Sequence, residues 1–303
     1  MGGNGTGGRG VGYANGRFID IEEAAVPLLD WGFIRSDATY DVVGVWRGRF
    51  FRLEDHLDRF ENSVSSLRMT LPVSRQEIRR ILAECVDRGQ LQDAYVSMTC
   101  TRGLPPEGSR DLRQFENRFY AFAIPYVHIF NTDSQGRGVR LVTAETRRIP
   151  DTSVDPRVKN YHWLDFIMSL FESYERNADL PLLLSQDDYV TEGGGYNIFA
   201  VCNGQLLTPK RGVLEGMTRQ TVFDICAARN IPISLADMKL ETIHEANEIF
   251  LTSTAGGIMA VESVDGQTPG AGCPGPLTKT IRSTYWQWHE DPEWTTDVQA
   301  LLT

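Results

Sequence analysis

The chain has 303 residues, of which 41% are hydrophobic and 23% charged, and its formal net charge is −10. These values are typical of a globular protein with one large or two medium domains, and the acidic balance argues against a nucleic-acid or membrane-surface partner. No apolar run approaches the roughly 20 residues that a membrane-spanning helix needs. Five scattered cysteines without C-x-x-C spacing indicate reduced thiols and a cytoplasmic protein.

Mixed strands and helices are predicted in the first half of the chain. Residues 1–12 are glycine-rich and lack the basic and apolar regions of a signal peptide, so we expect a flexible N-terminus. Residues 13–129 form the predicted smaller α/β domain, which opens on a hairpin because Asn15-Gly16 suits a type I′ turn. A strand over 38–46 follows. A helix with one buried face is predicted from apolar residues at helical spacing: Leu53, Leu57, Phe60, Val64 and Leu67.

The second half is predicted to be denser in strands. Polar residues with turn propensity at 130–137 indicate an interdomain linker, and residues 138–303 form the larger predicted domain. A strand over 139–144 opens this domain. The helix that begins near Trp163 has apolar residues on one face: Leu164, Ile167, Met168, Phe171 and Tyr174. Further strands are predicted over 180–184, 196–202, 205–209, 248–254 and 258–264, which makes the chain an α+β protein.

Lysine is scarce in this sequence. The chain has four lysines, and Lys159 is the only one in the first two hundred residues. A desolvated lysine amine can lose its proton and form a Schiff base with an aldehyde, which arginine does not do. From scarcity alone, an ordinary surface lysine is the simpler interpretation of Lys159.

An aldehyde cofactor on Lys159 would need further groups from the protein. The obvious cofactor is pyridoxal 5′-phosphate, which needs an acid at its ring nitrogen, an anion site for its phosphate and walls for its ring. Glu192 precedes three glycines, which allow a ligand to approach the backbone closely. The alternative for Glu192 is a solvated carboxylate at a glycine-rich turn.

Three places could bind the phosphate. Residues 214–219 open a helix, and N–H groups at a helix N-terminus bind anions. Residues 252–254 offer hydroxyl groups at a strand end, and Arg59 lies next to the buried face of its helix. An i,i+4 pair with Asp55 is the alternative for Arg59. No Ser/His/Asp set competes, and the five histidines show no ligand spacing, so we predict no metal site.

Five motifs in this order resemble the class IV, or fold type IV, pyridoxal-phosphate aminotransferases: V-K-N, T-E-G-G-G-Y-N-I-F, L-T-P, L-E-G-M-T-R and T-S-T-A-G-G-I. The resemblance covers nearly the whole chain after about residue 13. It implies fold type IV, with a smaller N-terminal α/β domain, a larger C-terminal pseudo-barrel β/α domain, and a homodimer. Within the family, the runs S-D-A-T-Y-D-V, D-P-R-V-K-N and T-A-G-G-I-M are similar to those of the (R)-selective amine transaminases.

The resemblance also implies roles for individual residues. Lys159 matches the Schiff-base lysine, which also carries the transferred proton, and Glu192 matches the acid at the pyridine nitrogen. The other implied cofactor contacts are Arg59, Tyr196, Asn197, Leu214, Met217, Thr218 and Thr254. The implied substrate residues are Arg35, Tyr40, Val42, Arg110, Trp163, Thr254 and Ala255.

The sequence departs from the (R)-amine branch in ways that concern the substrate. Arg35 stands where those enzymes usually have histidine, and Gly194 replaces serine or alanine. The family's carboxylate-binding arginine is out of register, since Gly108 falls near its place and Arg110 lies two residues on. Arg35 either binds a substrate carboxylate in a bidentate manner or is a rim residue paired with an aspartate, Asp37 or Asp41.

The implied function is transfer of an amino group from an (R)-configured primary amine to a keto acid such as pyruvate. A D-amino-acid transaminase is the first alternative, favoured if Arg35 or Arg110 binds the α-carboxylate. A branched-chain aminotransferase and a lyase of the aminodeoxychorismate type are further alternatives. A non-enzymatic pyridoxal-phosphate-binding protein is the last, which the intact Lys159–Glu192 pair disfavours. The expected partners are thus small amines and keto acids, with no nucleic acid or membrane.

Overall fold

The structure, a computed structural model, describes residues 9–131 and 136–303. Most of the predicted N-terminal segment 1–12 and half of the predicted linker 130–137 lie outside these residues. The chain divides into two compact units. Unit 1 comprises the described residues up to Val127 together with Val158–Tyr161 and His289–Thr303, and unit 2 comprises those of His128–Arg157 and His162–Trp288. The predicted domain boundary would have assigned the last two segments of unit 1 to the second domain.

Unit 1 is built on an antiparallel sheet of seven strands. In sheet order the strands are β14 (Thr295–Asp297), β4 (Arg49–Phe51), β3 (Ala38–Trp46), β5 (Ala94–Thr101), β6 (Arg118–Pro125), β1 (Val11–Ala14) and β2 (Arg17–Asp20). The β1–β2 hairpin turns at Asn15 and Gly16, whose φ angles are 51° and 75°. Positive φ at both positions is what a type I′ turn requires, so the predicted hairpin is present.

Three helices accompany this sheet: α1 (Trp31–Arg35), α2 (Leu53–Ser66) and α3 (Arg75–Arg88). Helix α2 packs on β3, and α3 packs on β6 and β1. The predicted face of α2 is buried at Leu53, Leu57, Phe60 and Val64. Helix α3 begins with a capping box between Ser74 and Glu77, which satisfies N–H groups that the first helical turn leaves without partners.

Unit 2 contains a mixed sheet of seven strands and four helices among its described residues. In sheet order the strands are β11 (Ile233–Ala236), β10 (Gln205–Pro209), β9 (Asn197–Cys202), β12 (Glu248–Ser253), β13 (Gly257–Val264), β7 (Val139–Thr143) and β8 (Leu180–Leu182). The helices are α4 (Leu164–Glu175), α5 (Met217–Arg229), α6 (Leu240–His244) and α7 (Pro276–Trp288). Both units therefore mix helices with sheets. Across residues 9–131 and 136–303, no helix has the length and hydropathy to cross a bilayer.

Helix α4 turns its apolar residues outward within unit 2. These residues share one face, as predicted, but 41–77% of the surface of each is exposed: Leu164, Ile167, Met168, Phe171 and Tyr174. The buried face carries Asp165, Phe166, Ser169 and Ser173 instead. We call the five outward residues the α4 apolar face. Such a contiguous exposed patch is typical of an interaction surface rather than of a free monomer.

We predict that Leu57→Ala destabilises the protein and that Leu112→Ala does not. Leu57 is completely buried on α2, whereas Leu112 is 48% exposed. Truncating a buried leucine leaves a cavity and costs about 2–5 kcal/mol of unfolding free energy. Urea unfolding of both variants measures the difference. Equal midpoints for the two variants would show that the core of unit 1 does not depend on α2 packing.

Candidate active site

Lys159 belongs to unit 1, although it lies far along the chain from the rest of that unit. Its carbonyl oxygen accepts hydrogen bonds from the Tyr40 N–H, at 3.0 Å, and from Thr39 Oγ1, at 2.8 Å. Its own N–H donates to Ser63 Oγ at 3.4 Å. The backbone of Lys159 is thus tied to strand β3 and helix α2. The anchored backbone leaves the four-carbon side chain as the flexible part of this residue.

An aromatic pair lies beside the Lys159 amine. Lys159 Nζ is 4.4 Å from the centroid of the Tyr40 ring, a distance at which the ring face attracts an ammonium group. Tyr40 stacks on Tyr161, with ring centroids 4.7 Å apart and an interplanar angle of 12°. The hydroxyl groups of Tyr161 and Thr99 are 3.0 Å apart. Burial raises the pKa of Tyr40 well above its usual value, so Tyr40 is a neutral wall.

Arg59 and a buried aspartate form the charged part of unit 1. Arg59 Nε lies 2.7 Å from Asp41 Oδ2, and Arg59 Nη2 lies 2.8 Å from Asp41 Oδ1. His56 Nδ1 is 2.8 Å from the same Oδ1, which also accepts the Val42 N–H at 2.7 Å. Burial by itself would raise the pKa of Asp41, but Arg59 and His56 outweigh burial and hold this pKa well below its usual range. Asp41 is therefore a carboxylate.

The predicted substrate residues of unit 1 lie in different environments. Val42 is buried on β3, whereas Arg110 is exposed in the segment between β5 and β6. Arg35 is exposed at the end of α1, where its Nη1 donates to the Ile34 carbonyl at 2.8 Å. The two aspartates considered as partners for Arg35 hold other cations, since Asp37 pairs with Arg102 and Asp41 with Arg59.

Glu192 is buried in unit 2 and surrounded by hydrogen-bond donors. Its Oε2 accepts from Asn197 Nδ2 at 3.1 Å and from the Leu214 N–H at 2.9 Å. Its Oε1 faces Arg148, with Nη2 at 3.3 Å and Nε at 3.4 Å. The solvated carboxylate considered from the sequence is not what the structure shows, because Glu192 is only 4% exposed.

Arg148 shares its charge between two buried carboxylates. Its Nη1 lies 2.7 Å from Asp165 Oδ2, and its guanidinium carbon lies 4.2 Å from the centroid of the Phe166 ring. Asp165 also accepts the Ile149 N–H at 3.0 Å. Arg219 is a second buried cation near Glu192, and the two groups attract each other.

The first turn of α5 offers a place for an anion. Gly216 precedes this helix and has no side chain to cap it, and a Cβ at Gly216 would lie 2.2 Å from Asn197 Oδ1. Thr218 is buried in the same turn, after Met217. Thr252 pairs with Asn197 across the sheet, and its buried hydroxyl has no hydrogen-bond partner in the described part of the chain. N–H groups at a helix N-terminus together with hydroxyls are suited to phosphate oxygens.

Thr254 and Ala255 follow strand β12 in unit 2. Thr254 is half-buried and Ala255 is buried. The Ala255 N–H donates to Ser253 Oγ at 3.1 Å, and its carbonyl accepts the Ile129 N–H at 2.8 Å. These two bonds fix the backbone of the turn that was predicted to line the substrate pocket.

Tyr196 and Trp163 complete the predicted set in unit 2. Tyr196 is buried, and its hydroxyl donates to the Pro181 carbonyl. A Cβ at Gly193 would lie 2.2 Å from the Tyr196 ring, so this tyrosine packs directly on the glycine turn. Trp163 precedes α4 and is half-buried, and its ring lies near Gly194. The cofactor contact of Tyr196 and the substrate contact of Trp163 stay predictions.

A sequence profile of amino-transferase class IV matches residues 38–264. The chain belongs to the class IV aminotransferases. It is similar to a D-alanine aminotransferase from Bacillus licheniformis, with 28% identity over 89% of this chain and 93% of that protein.

Two solved structures are similar to the whole described fold. A branched-chain aminotransferase from Thermoproteus uzoniensis, solved with norvaline, has a TM-score of 0.87 and 28% identity, covering 95% of this chain and 99% of that one. The T.th. branched-chain amino acid aminotransferase, solved with pyridoxamine 5′-phosphate, has a TM-score of 0.88 and 26% identity, covering 97% of this chain and 100% of that one. The prediction of fold type IV is confirmed.

Class IV aminotransferases use pyridoxal 5′-phosphate, and the residues of this chain fit that cofactor. Lys159 would supply an amine for its aldehyde. The buried Glu192 carboxylate would accept a hydrogen bond from a protonated ring nitrogen. The glycine-led start of α5 and the buried Thr252 hydroxyl suit a phosphate. When bound, the cofactor supplies the electron sink that an amino-group transfer needs.

Four ionisable residues next to these predicted ones were missed from the sequence. Asp41 lies inside the quoted run S-D-A-T-Y-D-V, and His56 lies three residues before Arg59 on the same helix, so a signal for both was present. Arg148 and Asp165 carry no motif signal. Arg148 contacts Glu192, which lies 44 residues further along the chain. It also contacts Asp165, which lies 17 residues further along.

We predict that Arg148→Met strongly destabilises this aminotransferase. The substitution leaves the buried carboxylates of Glu192 and Asp165 without their cation, which costs about 3–5 kcal/mol of unfolding free energy. Arg211→Met is the matched control in unit 2, because Arg211 pairs with Asp237 at a surface where its side chain is 54% exposed. Surface pairs contribute at most about 1 kcal/mol. Urea unfolding compares the two variants, and similar losses would contradict the charge argument for Arg148.

Proposed function

We propose that this class IV aminotransferase accepts (R)-configured primary amines with apolar or aromatic substituents as donors. The supporting observation is the stacked Tyr40–Tyr161 pair beside the Lys159 amine, 4.4 Å from the Tyr40 ring centroid. An aromatic wall next to the reacting amine favours an apolar substituent over a charged one. Similarity of the S-D-A-T-Y-D-V run to the (R)-amine branch also supports this donor class. A keto acid such as pyruvate is the proposed acceptor.

The proposed roles follow from the chemistry of each residue. Lys159 would hold the cofactor covalently and, once released, would carry the proton that leaves the donor carbon. Glu192 accepts a hydrogen bond from the protonated ring nitrogen, and Arg148 and Asn197 keep its carboxylate in place. The proposed phosphate contacts are Arg59, Met217, Thr218 and Thr254. Leu214 packs against the ring.

A D-amino-acid transaminase is the second proposal. Arg35 is exposed, and no carboxylate pairs with it among residues 9–131 and 136–303. A planar guanidinium binds a carboxylate in a bidentate manner, so Arg35 could bind the α-carboxylate of an amino acid. Similarity to a D-alanine aminotransferase supports this alternative.

We expect (R)-1-phenylethylamine to bleach the yellow colour of the cofactor-loaded protein, and (S)-1-phenylethylamine to leave it unchanged. The bond between Lys159 and the cofactor gives the yellow colour, and amino transfer removes this bond. Absorbance titration with these two amines and with D-alanine, L-alanine and L-leucine compares the donor classes. Stoichiometric conversion of pyruvate to alanine then distinguishes a transaminase from a lyase.

Two outcomes would change this assignment. Bleaching by D-alanine alone would favour the D-amino-acid transaminase, and bleaching by L-leucine alone would favour a branched-chain enzyme. Lys159→Ala is the control for the site itself, because a variant without this amine cannot form the linkage. A yellow Lys159→Ala protein would refute the role of Lys159.

A homodimer is the proposed quaternary state. The α4 apolar face leaves five large side chains in solvent within unit 2, and the burial of such a patch stabilises association by about 25 cal/mol per Å². The family resemblance supports a second copy of this chain as the partner.

We predict that Phe171→Glu shifts the protein from dimer toward monomer. Phe171 is 57% exposed on the α4 apolar face, and a buried unpaired carboxylate at a dimer contact is unfavourable. Leu235→Glu is the matched control, because Leu235 is 52% exposed on β11 of the same unit and is not part of the α4 apolar face. Size-exclusion chromatography with light scattering measures the mass. An unchanged dimer in Phe171→Glu would place the dimer contact elsewhere.

A further inference from the structure

We propose that Asp41 and His56 are positioning residues, which orient the Arg59 guanidinium toward the cofactor phosphate. The site then selects the phosphorylated cofactor over pyridoxal, the same aldehyde without phosphate. This inference rests on the proposed phosphate contact of Arg59. It assigns a purpose to two buried ionisable groups that the amino-transfer chemistry itself does not use.

Asp41 holds Arg59 along one edge of the guanidinium. The contact is bidentate, at 2.7 Å to Nε and 2.8 Å to Nη2, so it fixes both the position and the plane of the group. The remaining N–H bonds, on Nη1 and on the outer side of Nη2, consequently point away from Asp41. A phosphate oxygen has to approach from that side. The orientation is therefore set before the cofactor binds.

Asp41 in turn has no freedom to rotate. Its Oδ1 contacts His56 Nδ1 at 2.8 Å and the Val42 N–H at 2.7 Å, and its side chain is completely buried. Burial lowers the pKa of His56 below its usual value, although Asp41 acts in the opposite direction. A neutral His56 donates one hydrogen bond and adds no second charge. Helix α2 carries Arg59 and His56 three residues apart, so both reach Asp41 on strand β3.

The carboxylate is important because an amide of the same shape cannot replace it. In Asp41→Asn one oxygen becomes an NH₂ group, and whichever oxygen is replaced, one N–H of the Arg59 guanidinium then faces a donor instead of an acceptor. If Oδ1 is the oxygen replaced, His56 and the Val42 N–H lose their acceptor as well. The bidentate contact is then lost, and Arg59 can adopt orientations that do not meet the phosphate. The aldehyde of the cofactor is bound through Lys159, so the loss should concern the phosphate alone.

The experiment measures dissociation constants of pyridoxal phosphate and of pyridoxal for cofactor-free protein, from the absorbance of the lysine-bound form. For Asp41→Asn we expect the constant for pyridoxal phosphate to rise about tenfold or more, and that for pyridoxal to change by less than about twofold. His56→Gln should shift the ratio of the two constants in the same direction by a smaller factor. Pyridoxal binding shows in each case that the variant is folded.

Asp37→Asn is the matched control in unit 1. Asp37 also holds an arginine in a bidentate manner, with Arg102 Nε at 2.8 Å and Nη2 at 3.1 Å. The other contacts of Arg102 are to the carbonyls of Leu67 and Arg68, at the end of α2. We expect Asp37→Asn to lower stability without changing the ratio of the two dissociation constants.

Each outcome bears on a different claim. If Arg59→Met keeps the wild-type ratio, the proposed phosphate contact of Arg59 is wrong. If Arg59→Met lowers the preference for pyridoxal phosphate but Asp41→Asn and His56→Gln do not, only the positioning inference is overturned. The positioning inference is also overturned if Asp41→Asn and His56→Gln weaken the binding of pyridoxal phosphate and of pyridoxal by the same factor. A merely structural role would affect the binding of both ligands. If Asp41→Asn does not fold, the ratio in His56→Gln decides.

Discussion

A buried carboxylate needs charges and hydrogen-bond donors to replace the water that it loses, and much of this structure depends on that constraint. Asp41 meets it in unit 1 through Arg59 and His56. Glu192 meets it in unit 2 through Arg148 and two further donors. The two solutions differ in charge. Asp41 pairs with a single arginine, whereas Glu192 lies near two buried arginines, Arg148 and Arg219.

Lys159 has a fixed backbone and a flexible side chain. Hydrogen bonds from Tyr40 and Thr39 and one to Ser63 hold the main chain. The side chain then extends along the Tyr40 ring, which attracts the ammonium form. The role proposed for Lys159 needs this combination, because the amine would have to reach two atoms from one anchored point.

Helix α4 shows that helical periodicity does not reveal which face of a helix is buried. Its apolar residues share one face, yet Leu164 and Phe171 are 77% and 57% exposed. The inner face carries Asp165, which is required by Arg148, and serines whose hydroxyls donate to carbonyls of the helix itself. The buried ion pair between Arg148 and Asp165 thus accompanies an orientation of the helix that leaves its apolar face exposed.

The sequence by itself determined the local elements and the family. Asn15-Gly16 predicted its hairpin because few residues adopt positive φ, the spacing around Leu57 predicted the buried face of α2, and the ordered motifs predicted the fold type. Only the tertiary structure decided that Lys159 packs with unit 1 and that Arg148 faces Glu192. These contacts join residues far apart in sequence, and their energy comes from burial and charge, which no local pattern records.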